Sequence, residues 1–155
     1  MADVTARLAE LGITLPPVVP PVAAYQPAVR SKDHVYVSGQ LPMVDGKLPA
    51  TGLVGVGADV TPEDAFDLAR ICALNGLAAI DSLVGLAKVV RIVKVGGFVA
   101  SAPGFTGQPG VINGASELFG EVFGEAGKHA RAAVGVASLP LGAPVEVDLI
   151  VEVED

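Results

Sequence analysis

The sequence predicts an α+β domain in which a mixed β-sheet carries two main helices on one face. Three observations carry that prediction. The chain has 155 residues, about one domain's worth. Its patterned segments follow in the order strand, strand, helix, strand, helix, strand, strand. The last of them, Val145 to Val153, alternates apolar with mostly acidic residues, the mark of a strand buried on one face.

Taken in order, Asp3 to Gly12 reads as a short helix, with Asp3 as its N-cap and Gly12 as its stop. Ile13 to Pro27 contains Pro16, Pro17, Pro20, Pro21 and Pro27, so it runs extended as a strap over the surface. Together these form an arm, residues 1–27, ahead of a main domain at 28–155. PPVVPP has no flanking basic residue, which disfavours a role as ligand for a proline-recognition module. Ala28 to Gln40 alternates toward a strand, most strongly in VYVSGQ, and an Asp-Gly turn follows in MVDGKLPATG.

Thr61 opens the best helix: Thr-Pro-Glu-Asp supplies an N-cap, a proline at the first helical position and acids in the first turn. The residues after it are apolar around most of the circumference, so the helix is largely buried, and Cys72 within it is a small core side chain. Lys88 to Val99 is strand-like. A Gly/Pro-rich loop leads to a second helix, about Val111 to Ala126, on which Glu117, Glu121 and Glu125 mark a solvated face. The closing segments, 131–138 and 145–153, read as a hairpin.

Composition bounds the function. The chain is 51% hydrophobic and 17% charged, more apolar surface than one small core hides, which predicts a closed homo-oligomer. The longest charge-free stretch, Val95 to Ser116, is broken by Pro103, Pro109 and repeated glycines, so it cannot span a membrane as a helix. Net charge is −7 with no basic stripe, which argues against nucleic acid as a partner. A single cysteine and an N-terminus without an apolar signal core make the cytoplasm the expected location. His34 and His129 are far apart with no ligand spacing, and read as ordinary side chains; no metal or cofactor is implied. GLVGVGADV lacks the third glycine and the following helix of a dinucleotide loop.

The hairpin carries the chemistry. On its last strand Val145, Val147, Leu149, Val151 and Val153 share one face, and Glu146, Asp148, Ile150, Glu152 and Glu154 the other. A turn symmetric about residues 141 and 142 sets Arg131 opposite Glu152. It also puts Arg131, Ala133, Gly135 and Ala137 on the acid face, with Val134 and Val136 against the helices. That patch has a guanidinium, carboxylates and nothing larger than alanine between them, room for a small guest whose carboxylate arginine can clamp. A cross-strand salt bridge on a wet sheet face fits the same spacing, and spacing alone favours it.

RAAVGVASLPLGAPVEV, with YQPAV, VYVSGQLP, GFVAS and VINGASELF in order, resembles the RidA/YjgF family, also called the L-PSP or perchloric-acid-soluble family, from about Tyr25 to Glu152. The resemblance implies a chorismate-mutase-like fold, a homotrimer with a cleft at each subunit interface, and cofactor-free hydrolysis of 2-imino and enamine acids to 2-keto acids and ammonia. By motif, Arg131 corresponds to the arginine that grips the substrate carboxylate and Glu146 to the acid that positions water. Tyr25, Ser38, Gly39 and Asn113 correspond to substrate-binding positions, and Ala133 stands where well-studied members have cysteine. Without the resemblance, Tyr25 is an anchor for the strap, Ser38 and Gly39 end a strand, and Asn113 caps a helix. The arm, a longer chain around 43–60 and Ala133 set this sequence apart from short members. A non-catalytic sensor of a small carboxylate, an endoribonuclease and a purely structural trimer are the rival functions.

Overall fold

The computed structural model describes residues 3–21 and 23–155. Its elements are α1 (Val4–Glu10), β1 (Ala28–Ser31), β2 (His34–Gln40), α2 (Pro62–Leu83), β3 (Val89–Ala100), α3 (Gln108–Phe123), β4 (Ala130–Val136) and β5 (Val145–Val153). The strands form one mixed sheet in the order β1-β2-β5-β3-β4. Helices α2 and α3 lie against each other on one face, over a core that includes Leu77, Ile80, Ile112, Phe119, Ile92 and Leu149.

Local signals act largely as the sequence suggests. The Asp3 carboxylate accepts from the Thr5 amide at 2.9 Å, and Thr61 Oγ1 accepts from the Asp64 amide at 3.1 Å, capping α1 and α2. Cys72 is fully buried. Ala28 to Gln40 is two strands, not one: the chain reverses at Lys32–Asp33, with Lys32 at φ 55°. Helix α3 begins three residues earlier than its apolar pattern, with Pro109 in its first turn. It ends where Gly124 takes φ 60°.

The expected closing hairpin does not form. β4 pairs parallel with β3, and β5 runs antiparallel between β2 and β3. The reason lies in the crossover: β3, α3 and β4 make a strand–helix–strand unit, and a helix lying on the sheet returns the next strand parallel. The chain then passes the end of β3, where the Ala100 amide donates to the Pro144 carbonyl at 2.9 Å, and enters the slot between β2 and β3. There β5 gains two ladders where a hairpin offers one.

This changes the faces. Arg131, Ala133 and Gly135 pair with Val95, Gly97 and Val99, on the helix side of the sheet. Val134, predicted to be in the core, lies opposite Phe98 on the helix-free side and is 45% exposed. Glu152 pairs with His34 and Arg91, so the Arg131–Glu152 pairing is corrected as well. The acids of β5 do share the helix-free face, together with Val29, Tyr36, Phe98 and Ile150.

The two helices approach closely at Gly114, where an added Cβ would collide with the Phe66 backbone carbonyl. Alanine improves helix propensity by about 1 kcal/mol, but overpacking against rigid backbone costs about 1–3 kcal/mol. Gly114→Ala is therefore expected to lower the denaturant midpoint in chemical unfolding. A raised midpoint would show that the helices separate freely.

Candidate functional site

The predicted site residues fall into two clusters. The first surrounds Arg131, at the start of edge strand β4. Its side chain reaches over the sheet edge to α3, where Nη1 donates to Asn113 Oδ1 at 2.8 Å and Ser116 Oγ at 3.1 Å. Nη2 points to the Pro109 carbonyl at 3.4 Å. All three acceptors are neutral, and among the described residues no carboxylate pairs with Arg131. Ala133 lies two residues along the same face and packs against the core, offering a backbone and a methyl group with no thiol. Asn113 is a ligand of Arg131 in the second turn of α3 and not its N-cap.

Sequence reasoning missed two members of this cluster. Ser116, one helical turn beyond Asn113, and His129, two residues before Arg131 and just ahead of β4, meet at 2.8 Å between Oγ and Nε2. His129 Nδ1 lies 2.6 Å from the Gly127 carbonyl. A carbonyl can only accept, so Nδ1 carries the proton, Nε2 accepts from the Ser116 hydroxyl, and the serine's lone pairs face Arg131. The i, i+2 spacing in His129-Ala130-Arg131 and i, i+3 spacing in Asn113–Ser116 were the available signals.

The second cluster lies on β2 and β5. Between the Val37–Leu149 and Gln40–Val147 pairs, two residues of β2, Ser38 and Gly39, stand against one of β5, Asp148, so a bulge falls at Ser38–Gly39. The Glu146 side chain lies against Gly39, where a Cβ would displace its carboxylate from this position. Ser38 Oγ donates to the Gln26 carbonyl at 2.5 Å, tying the segment that carries Tyr25 to the bulge. Tyr25 and Gly39 line a small pocket of about 30 Å³. Burial first, then the charge of Asp148, raises the Glu146 carboxyl above its ordinary range.

One chain does not bring the clusters together. Arg131 lies on the helix side at the sheet's edge, and Glu146, opposite Phe98, faces the helix-free side. Among the described residues no three His, Cys, Asp or Glu side chains converge as metal ligands. No helix among them is long and apolar enough to cross a membrane.

A five-stranded mixed sheet with its helices on one face and an open, partly acidic other face defines an α+β protein of the chorismate-mutase-like class. The chain belongs to the family described as "YjgF/chorismate_mutase-like, putative endoribonuclease", whose model matches residues 5–153. This bears out the resemblance read from the sequence. Protein TCP17 of Trypanosoma cruzi is 47% identical over 154 residues, 98% of this chain and 95% of that protein. The crystal structure of Atu1372 from Agrobacterium tumefaciens, a protein described as of unknown function, is 50% identical with TM-score 0.88, covering 97% of this chain and 92% of that one. E. coli TdcF with bound serine is 26% identical with TM-score 0.62, covering 91% and 94%.

Burial, then the charge of Arg131, holds the His129 imidazole below its ordinary range, against the opposing pull of the Gly127 carbonyl. The unfolded imidazole takes up a proton near pH 6.5 while the folded one resists, so its contribution to stability is lost as pH falls through the depressed folded value. Thermal unfolding from pH 7 to pH 5 should therefore cost wild type more than His129→Gln. Equal slopes would mean that the imidazole is not held neutral.

Proposed function

We propose that this chain is a cofactor-free imine and enamine deaminase, hydrolysing 2-imino or enamine acids to 2-keto acids and ammonia in clefts between the protomers of a homotrimer. The observation that carries the reading is Arg131, a half-buried guanidinium held by neutral acceptors and paired with no carboxylate among the described residues. Such a group is oriented in advance and retains its full charge for an incoming carboxylate. The relative TdcF is described with serine, a small amino acid, bound.

The reaction asks little of the protein. Water adds to the imine carbon, giving a tetrahedral carbinolamine. The nitrogen then gains a proton and leaves as ammonia while the C=O bond forms. Arg131 holds the carboxylate and so orients the carbon. Glu146, its carboxyl raised by burial, is suited to take a proton from water and return it to the leaving nitrogen. Tyr25, Ser38 and Gly39 shape the wall beside Glu146, and the Ala133 carbonyl takes the place of any thiol at that position.

The separation of the clusters supports a cleft shared between protomers, as in the proposed homotrimer. Arg131 and Glu146 lie on opposite sides of the sheet, so a complete cleft draws Arg131, Asn113 and Ala133 from one protomer and Tyr25, Ser38, Gly39 and Glu146 from the next. Contacts of that kind are head-to-tail, and a rotation of one third of a turn closes them into the proposed ring. The exposed apolar residues Val29, Tyr36 and Val134 suit such an interface. An acidic chain of net charge −7, with its two histidines engaged by Asp33 and Ser116, is poorly equipped for RNA, and the proposal includes neither nucleic acid nor membrane as a partner. A cytoplasmic location suits a small metabolic substrate.

The test is 2-keto acid release from imino acids generated in situ. Wild type should accelerate it, and Arg131→Ala should lower kcat/KM about ten- to a hundredfold, the worth of a charged hydrogen-bond pair. No acceleration by a folded oligomer that still binds a keto acid would favour the sensor. Arg131→Ala and Glu146→Gln, each strongly impaired, should regain about a quarter of wild-type activity when unfolded together and reassembled one to one, because about one cleft in four then draws both intact residues by chance. No recovery would place both residues of a cleft on one protomer.

A further inference from the structure

A second cavity lies away from Arg131, beneath the proline strap. It has a volume of about 500 Å³, within the range of small-molecule sites. The strap supplies one wall through Pro16, Pro17, Val18, Val19 and Pro20; α2 supplies another through Ile71, Leu74 and Asn75; the Met43–Gly46 turn closes the third side. These walls are mostly apolar, and among the described residues no Lys, Arg or His side chain lines them.

Asn75 is 1% exposed. Its amide nitrogen donates to the Leu41 carbonyl at 3.0 Å and the Met43 carbonyl at 3.1 Å, which fixes the orientation of the group. That leaves Oδ1 buried without a partner among the described residues. The three strap prolines, Pro16, Pro17 and Pro20, have no N–H to offer, and no hydrogen bond reaches Oδ1 from Thr14, Val18 or Val19. A buried acceptor left in this state calls for a donor from elsewhere. Thr14 and Asp45 are the other polar lining residues; Asp45 sits exposed at the tip of the turn closed by Val44 and Lys47, with φ 51°.

We propose that this chamber is a binding site for a small apolar amine, its hydrocarbon against the prolines, Ile71 and Leu74, and its N–H groups turned to Asn75 Oδ1 and the Asp45 carboxylate. The chemistry is opposite to that of the Arg131 cluster: acceptors and a negative charge select a cation or neutral donor and disfavour carboxylates. Val19, Pro20 and Met43 also line the small pocket beside Tyr25 and Gly39, so a guest braces the wall behind those residues.

The experiment is calorimetric titration of the full-length protein, in its native assembly, with hexylamine, hexanol and hexanoate. Hexylamine should bind most tightly, hexanol more weakly, and hexanoate least. Val18→Trp fills the chamber from the strap and leaves the Asn75 hydrogen bonds intact; it should abolish saturable binding of hexylamine. Asp45→Asn retains a residue at ease with positive φ. It should weaken hexylamine about threefold, as for an exposed ion pair, and leave hexanol unchanged. The proposal is overturned if wild type shows no saturable binding at millimolar amine, if hexanoate binds as tightly as hexylamine, or if a folded Val18→Trp protein binds hexylamine unchanged.

Discussion

The insertion of β5 between β2 and β3 is the constraint on which the rest of the structure depends. Val145, Val147, Leu149, Val151 and Val153 are all essentially buried, and each alternate residue is turned to the helix-free face. A strand with that pattern gains most where both edges are paired and one face is covered. Once β5 takes the central slot, β4 is left at the edge. Arg131 then has an open flank to cross toward α3, and Glu146 comes to lie against the Gly39 bulge.

The two clusters are built by different means. Around Arg131 the fold uses side chains at strand and helix spacing, with a single proton assignment running from the Gly127 carbonyl through His129 and Ser116 to the guanidinium. A carboxylate partner there would neutralise the charge; neutral acceptors fix the geometry and leave it available. Around Glu146 the fold uses backbone: a bulge, a glycine without a Cβ, and the hydrogen bond from Ser38 that draws the strap's end onto β2. Partial burial beside Asp148 then makes the carboxyl a weaker acid.

The arm is part of the same body. Val4 and Leu8 of α1 belong to the core, and Arg7 Nε donates to the Glu121 carbonyl at the far end of α3 at 2.8 Å. Partly buried Ile13 and Leu15 pack against that core too, so the strap is laid down at intervals and roofs a chamber where its prolines stand clear of α2. The helix-free face of the sheet is different: it has no helix over it, and it carries Val29, Tyr36, Phe98, Val134 and Ile150 among its acids.

By itself the sequence determined the local units: the Thr61 and Asp3 caps, the Asp45–Gly46 turn, the buried course of α2 and the two faces of β5. Each is set by neighbours a few residues away, through capping, backbone sterics or a period of 2 or 3.6. The family motif also made the members of both clusters legible, Arg131 and Asn113 in one, Tyr25, Ser38, Gly39 and Glu146 in the other. Only the tertiary structure decided which strands pair. A closing hairpin and a parallel edge strand suit the 131–153 segment equally at short range, and the choice rests on the α3 crossover and the vacant slot beside β3. That choice turned Arg131 to the helix side and Val134 away from it. It brought His129 to Ser116 and set the arginine and the glutamate on opposite faces, because strand partners are selected by packing over the whole domain and not by the residues of the strand alone.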